Sequence, residues 1–196
     1  MRFLATAALT FAQTLVAKVA RPGDITVDAT AGNGHDAVFL ARLVGLGGVV
    51  HCFDIQPAAL AATEALLKRA ALAGAARLHG TGHEHLAEVL PAEHRGRVAA
   101  VLFNLGFQPG GDETVTTRAE TTLAALDASR DVLAGGGVIS VVCYTGHPGG
   151  EEEARRVGNW CRELDFAAWR AARYELVNKP GSPIIVYCVE KAAQAG

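Results

Sequence analysis

The stretch Val27-Asp28-Ala29-Thr30-Ala31-Gly32-Asn33-Gly34-His35-Asp36 decides the fold. It reads as the end of a short apolar strand, a glycine turn and the first turn of a helix. Gly32 and Gly34 tolerate positive φ and leave room where a Cβ would intrude on a ligand, and a helix opening near Gly34 turns its free N–H groups on the same spot. Asp28 and Asp36 flank the glycines. Acids so placed suit a ligand that brings positive charge or hydroxyl donors, not a bare phosphate.

Before this stretch, residues 1–20 are expected to form a helix. Leu4, Leu9, Phe11, Leu15, Val16 and Val19 share a broad face, and Arg21-Pro22-Gly23-Asp24 stops it. Gln13 and Lys18 interrupt the apolar run, which argues against a signal peptide. No run reaches the roughly 20 apolar residues of a membrane span.

After it, apolar runs alternate with helical patterns. Strands are expected over 25–30, 49–55, 77–80, 98–104 and 138–143, and helices over 34–44, 57–73, 116–133 and 151–164, with a brief one before Pro91. Gly135-Gly136-Gly137 reads as a break between helix and strand. Two further strands, 167–176 and 184–190, are joined through Asn178-Lys179-Pro180-Gly181-Ser182-Pro183. The alternation predicts an α/β fold of the Rossmann-like kind: a seven-stranded, mostly parallel sheet with helices on both faces and a C-terminal antiparallel hairpin. Residues 1–196 suit one domain.

Half of the residues are apolar and the formal net charge is -2, so the strongly basic signature of a nucleic-acid-binding domain is absent. Arg155, Arg156, Arg162, Arg170 and Arg173 crowd the last quarter of the chain, either as solvated faces or as an RNA-binding patch. Cys52, Cys143, Cys161 and Cys188 lack paired metal-ligand spacing and read as core residues in a reducing, cytoplasmic setting. His83-Glu84-His85 places its histidines two apart, not on one helical face as a zinc site requires, so no metal is expected. His85 and His94 read as surface residues.

In a sheet of this kind ligands sit at the carboxyl ends of the strands. Gly32, Gly34 and Ala37 have the G-x-G-x-x-A spacing, with Asp54 about 20 residues further on, so a nicotinamide or flavin dinucleotide is one reading. Asp28 and Asp36 would then stand beside a pyrophosphate. S-adenosylmethionine removes that conflict, because it has no phosphate, carries an ammonium and a sulfonium, and offers two ribose hydroxyls to Asp54. The cofactor-binding set on this reading is Asp28, Ala29, Thr30, Gly32, Asn33, Gly34 and Asp36, with Asp54, Ile55 and Gln56, then His83 and Glu84 at the adenine, and Asn104 and Leu105 near the methyl group. Asp28 and Asp36 are assigned to the ammonium end; the plain alternative is that they cap the turn and helix.

Asn104-Leu105-Gly106-Phe107 ends the fourth strand with the spacing N-x-x-F. It is similar to the N/D-P-P-Y/F motif of amino methyltransferases. The Asn104 oxygen and the Leu105 carbonyl can accept two N–H hydrogens of an amine and aim its lone pair, while Phe107 stacks on a planar base. In-line displacement at a sulfonium methyl needs alignment and exclusion of water. The amine must be neutral, so a base helps, and Tyr144 and His147 are the candidates. Gly106, Phe107, Pro109, Gly110, Gly111, Asp112, His147 and Asn178 form the candidate substrate set.

The opening stretch, Phe53-Asp54-Ile55-Gln56, Asn104-Leu105-Gly106-Phe107 with Pro109-Gly110-Gly111-Asp112, and Gly146-His147-Pro148-Gly149-Gly150 together resemble a small bacterial family of rRNA methylases. That family includes tRNA 5-(aminomethyl)-2-thiouridine methyltransferases, and the resemblance runs over residues 11–190. It implies a class I methyltransferase sheet, S-adenosylmethionine as cofactor, methylation of the side-chain amine of the wobble uridine, the anticodon arm of tRNA as partner, and a homodimer. The chain departs from the family at Phe107, often tyrosine, at Gln108, usually apolar, and at Glu113, commonly lysine. An rRNA or other methyltransferase, an NAD-dependent oxidoreductase and a non-catalytic RNA-binding protein are the alternatives.

Overall fold

Strand β1, Ile25–Asp28, is buried along its whole length, and the sheet is built outward from it. The computed structural model describes residues 3–178 and 184–193, with side chains from residue 8 onward. The other strands are β2 (Val49–Phe53), β3 (Ala76–His79), β4 (Val98–Leu105), β5 (Leu133–Tyr144), β6 (Trp169–Tyr174) and β7 (Ile184–Lys191). Their order is β3-β2-β1-β4-β5-β7-β6. The first five run parallel, and β7 is antiparallel to both β5 and β6. The hairpin thus docks through its second strand and leaves β6 at the edge.

The helices are α1 (Phe3–Val19), α2 (His35–Val44), α3 (Pro57–Arg69), α4 (Leu86–Val89), α5 (Ala119–Val132) and α6 (Gly150–Glu163). Alternation along the strands sends neighbouring side chains into two cores. Cys52 and Leu102 pack with Val16, Leu40, Val44 and Leu67, which places α1, α2 and α3 on one face. Phe53 and Phe103 pack with Leu86, Leu126, Val157 and Trp160, which places α4, α5 and α6 on the other. The inner face of α2 is Ala37, Val38, Leu40, Ala41 and Val44, as its periodicity predicts. Among the described residues no helix is long and apolar enough to cross a membrane.

Two expectations are corrected. Gly135-Gly136-Gly137 does not separate α5 from the fifth strand; α5 passes directly into β5, and the glycines lie inside it. Val98 pairs with Leu133 and Ala100 with Val138, so β5 bulges there. A Cβ at Gly137 would lie 3.0 Å from the Val98 carbonyl oxygen, a close approach that calls for glycine. The helix after Pro57 ends at Arg69, four residues short of expectation, because Ala71 turns to φ 57 before a short 3-10 turn, Ala73–Ala75. Most of the expected turn between the last two strands, 179–183, falls outside the described residues.

Candidate active site

Asp28, the last residue of β1, is fully buried. Its Oδ1 accepts the Thr30 N–H at 3.2 Å, and its Oδ2 is buried without a partner. Burial first, and the Asp36 charge second, push its pKa up to about 8. One turn away, Asp54 accepts the Gln56 N–H on Oδ1 and the Gly32 N–H on Oδ2, both at 2.9 Å. It ties the two turns together and keeps lone pairs for further donors. Ile55 beside it is exposed.

Gly34 caps α2 with φ 82. A Cβ there would lie 2.7 Å from Thr63 Cα, so the room left by this glycine is taken by α3 and not by a ligand. At Gly32, φ 49, the nearest atom to a Cβ would be 3.8 Å away, and the space is open.

Asn104 stands in the penultimate position of β4. Its N–H donates to Thr30 Oγ1 at 2.7 Å, and its Nδ2 donates to Asp36 Oδ2 at 2.7 Å. The other oxygen, Asp36 Oδ1, accepts from Gln13 Nε2 of α1 at 2.8 Å. Asn104 Oδ1 is buried and has no partner. The structure thus brings Asp28, Thr30, Asp36 and Asn104 together, and adds Gln13, which in the sequence only interrupts an apolar run.

The loop after β4 is strapped across the glycine turn. Gln108 Nε2 donates to Asn33 Oδ1 at 2.8 Å, and Asn33 Nδ2 donates to the Pro109 carbonyl at 3.1 Å. Phe107, partly exposed, meets the His147 ring edge-on, 6.3 Å between centroids. His147 Nδ1 lies 3.1 Å from the Pro148 carbonyl, which can only accept, so the proton sits on Nδ1. Its Nε2 is buried without a partner. Tyr144 lies beside it at the end of β5; burial and then the Asp36 charge raise its hydroxyl pKa, which leaves it a donor at neutral pH. Of the two candidate bases, His147 is the one with a bare acceptor nitrogen.

His83 is buried and edge-on to Phe103, with Nδ1 3.1 Å from the Ala29 carbonyl. Burial lowers its pKa against the opposing effect of that bond, and Nε2 is left unpartnered. The ring props the opening turn from below, and half-buried Glu84 lies next to it. Asp112 is exposed and accepts Thr114 N–H and Oγ1–H at 2.9 and 2.6 Å, which holds its pKa below the usual range. It closes its own turn, between Gly110 and Gly111 and the next element. Asn178 is exposed after β6, and among the described residues no hydrogen bond joins it to the cluster.

Glu153 of α6 was missed. It is buried and accepts Thr117 Oγ1 at 2.8 Å and Thr122 Oγ1 at 2.6 Å, while Thr117 N–H donates to the Gly106 carbonyl at 2.9 Å. It anchors the far end of the loop that carries Phe107. Its signal was present: Glu153, Val157 and Trp160 follow the i, i+4, i+7 stripe of a buried helix face.

The arginines divide. Arg155, Arg162 and Arg173 line a cavity of about 290 Å³ that adjoins one of about 570 Å³ at Gly146, His147 and Pro148. Arg155 pairs with Glu152 at 2.6 Å and Arg173 with Glu175. Arg156 pairs instead with Glu120, and Arg170 lies over the Phe166 ring at 3.8 Å, so these two serve local packing. His94, expected at the surface, is half-buried and bonds His51 Nε2 at 2.9 Å.

Known proteins are similar to this chain in sequence and fold. The family described as "Putative rRNA methylase" matches residues 50–190. A chloroplastic tRNA (mnm(5)s(2)U34)-methyltransferase of Arabidopsis thaliana is 36% identical over 182 residues, 89% of this chain, and the chain spans 66% of that relative's length. A putative rRNA-methylase from Clostridium thermocellum superposes with a TM-score of 0.89 at 37% identity, covering 94% of this chain and 97% of that one. A putative methyltransferase from Streptococcus mutans, crystallised with SAH, gives 0.84 at 29% identity, covering 93% and 97%. With the family matched over most of its length and this sheet order beneath the site, the chain belongs to the rRNA methylase family, S-adenosylmethionine-dependent methyltransferases of the class I fold.

Proposed function

We propose that the protein methylates the side-chain amine of a modified uridine in tRNA, the aminomethyl group at the wobble position. The observation that carries this reading is Asn104 Oδ1, a buried acceptor without a partner at the carboxyl end of β4. An incoming amine donates one N–H to it, which aims the nitrogen lone pair. Phe107 stands at the mouth of the site, where it can stack on a base. The tRNA substrate in the name of the Arabidopsis relative supports the finer assignment.

The residues present fit the cofactor. Asp28 Oδ2 is an orphaned buried oxygen suited to an ammonium, reached directly or through water, and Asp54 retains lone pairs for two ribose hydroxyls. When bound, S-adenosylmethionine supplies an already activated sulfonium methyl group. Asn104 orients the amine, the strap formed by Gln108 and Asn33 limits water, and His147 Nε2 takes the proton the amine must lose. Arg155, Arg162 and Arg173 lie where RNA phosphates leaving the His147 cavity can meet them.

Incubation with labelled S-adenosylmethionine and tRNA carrying aminomethyl-uridine should label that tRNA. If the protein binds the cofactor yet transfers nothing to this tRNA, the substrate assignment fails. Label entering ribosomal RNA instead would move the substrate to the one in the family's description.

A further inference from the structure

We infer that Asp36 and Gln13 are positioning residues that lock the Asn104 amide, so that α1 forms part of the catalytic apparatus. The inference rests on the reading that Asn104 receives the amine. An ionised carboxylate only accepts hydrogen bonds. Asp36 therefore fixes which end of each neighbouring amide faces it: Nδ2 of Asn104 at 2.7 Å and Nε2 of Gln13 at 2.8 Å. Turning the Asn104 amide over would set two acceptor oxygens against each other at that distance. Oδ1 is thereby forced to the opposite side, where it is buried and unpartnered.

An isolated asparagine amide has nearly the same shape either way round, and it can present an acceptor or two donors. A donor facing the site would meet the N–H groups of the amine and turn its lone pair away from the methyl group. The carboxylate removes that choice. Gln13 then holds the carboxylate in place through the oxygen Asn104 does not use. It projects from a helix anchored on the sheet by Ala8 and Ala12, which pack on Val142 of β5 and Val186 of β7.

This assignment replaces the sequence-level role of Asp36 as a partner of the cofactor ammonium. Both of its oxygens hold side-chain amides whose orientation they set, whereas Asp28 Oδ2 is buried and holds no donor at all. The ammonium is left to Asp28, and Asp36 acts one residue removed from the chemistry. The acceptor-only geometry also states what the site admits: a nucleophile that brings a hydrogen to donate.

The test compares wild type with Asp36→Asn, Gln13→Ala and Gln13→Glu. SAH affinity is measured by calorimetry, single-turnover methylation with aminomethyl-uridine tRNA, and the Asn104 side-chain amide by 15N NMR. An amide at position 36 no longer dictates the orientation of Asn104. Asp36→Asn should lower the single-turnover rate about 100-fold, the scale of a misaligned reacting group, with SAH affinity within about threefold of wild type. Gln13→Ala should lower the rate about tenfold and shift the Asn104 amide resonance. Gln13→Glu sets a second carboxylate against Asp36 when ionised and restores a donor when protonated, so its rate relative to wild type should recover as pH falls.

A fall in SAH affinity matching the fall in rate would make Asp36 a cofactor ligand and overturn the inference. An Asn104 resonance unmoved by both Asp36→Asn and Gln13→Ala would overturn it as well. Failure of the wild type to methylate the tRNA bears on the proposed substrate alone, because the resonance and the SAH titration report on the lock without any substrate.

Discussion

Three imidazoles stand in a row beside β2: His51 of β2 meets His79, the last residue of the edge strand β3, through Nδ1 and His94 of a short 3-10 turn through Nε2, each at 2.9 Å. A neutral imidazole has one N–H and one bare nitrogen, so His51 donates to one neighbour and accepts from the other. The carboxyl edge of the same sheet is built otherwise. Asp28 Oδ2, His83 Nε2, Asn104 Oδ1 and His147 Nε2 are all buried and all lack a partner. Among the described residues one further such atom, Ser140 Oγ, lies mid-strand opposite Cys188. An unpaired buried polar group costs about 1–3 kcal/mol. The histidine row is paired nitrogen to nitrogen, whereas these four atoms near the carboxyl ends of the strands are not, and buried polar groups are ordinarily paired.

The sharpest break in that contrast is Asn104→Ala. It deletes the orphan acceptor at the reacting edge, and methyl transfer should fall about 100- to 1000-fold, the loss seen when one aligned hydrogen-bonding group is removed from a transition state. SAH binding should be nearly unchanged, as calorimetry alongside single-turnover kinetics will show. A matching mutation in the histidine row, which lies off the reacting edge, should leave the single-turnover rate near that of wild type.

Asp28 tests the same idea through the proton. Its pKa near 8 in the free protein means that it is largely protonated at neutral pH. An ammonium beside it favours the carboxylate, so cofactor binding at pH 7 should release a proton and strengthen as pH rises toward 8. Calorimetry in buffers of different ionisation enthalpy measures that release, and Asp28→Asn should abolish it while weakening binding about 10- to 100-fold. Stability should move the other way. A folded pKa above the unfolded value costs a carboxylate stability as pH rises between the two. Asp28→Asn should therefore raise the free protein's melting temperature at pH 7, by about 2–4 °C for each kcal/mol regained in a chain of this size.

The histidine row should show the opposite sign. Burial first, then the neighbouring His79 and His94 and the charge of Arg77, hold the His51 pKa down to about 4. As pH falls below about 6.5 the unfolded chain takes up a proton that the folded chain refuses, so stability is lost progressively between pH 6.5 and 4. His51→Asn leaves His79 and His94 each short of a partner and should cost about 1–3 kcal/mol near pH 7. Urea titrations should also show a shallower acid slope in the variant. A variant as stable as wild type at pH 7 would mean that the row contributes nothing, and the contrast with the edge would collapse.

How much of this was legible before the structure follows from the distance over which each feature is decided. The opening strand, turn and helix were legible because period and glycine are local: all five expected inner-face residues of α2 are buried. That Asp28 and Asn104 come together at one edge was legible because the carboxyl ends of parallel strands gather there. The pairing of Asp36 with Gln13 and Asn104 was not, since these partners lie 23 and 68 residues away and only packing of α1 and β4 brings them to it. The histidine row fails for the same reason, its members being separated by 28 and 43 residues. Gly135-Gly136-Gly137 misled because a glycine run signals a break and a bulge equally, and the Val98 carbonyl that decides between them lies on another strand.

Gln108 separates the two kinds of polar pairing at the smallest scale. It departs from the apolar residue usual in the family and donates through Nε2 to Asn33, in the loop after β4 and not inside the sheet. A half-exposed bond between neutral amides contributes about 0.5–1.5 kcal/mol. Gln108→Leu should therefore loosen the strap only slightly, and its effect should fall on ligand retention: SAH dissociation about threefold faster in stopped flow, with the single-turnover rate at saturating cofactor unchanged. If instead the chemical step slowed as it does in Asn104→Ala, the strap would belong with the reacting groups. The line between orphaned acceptors that do chemistry and paired groups that hold the fold would then have to be drawn further out, through the loop itself.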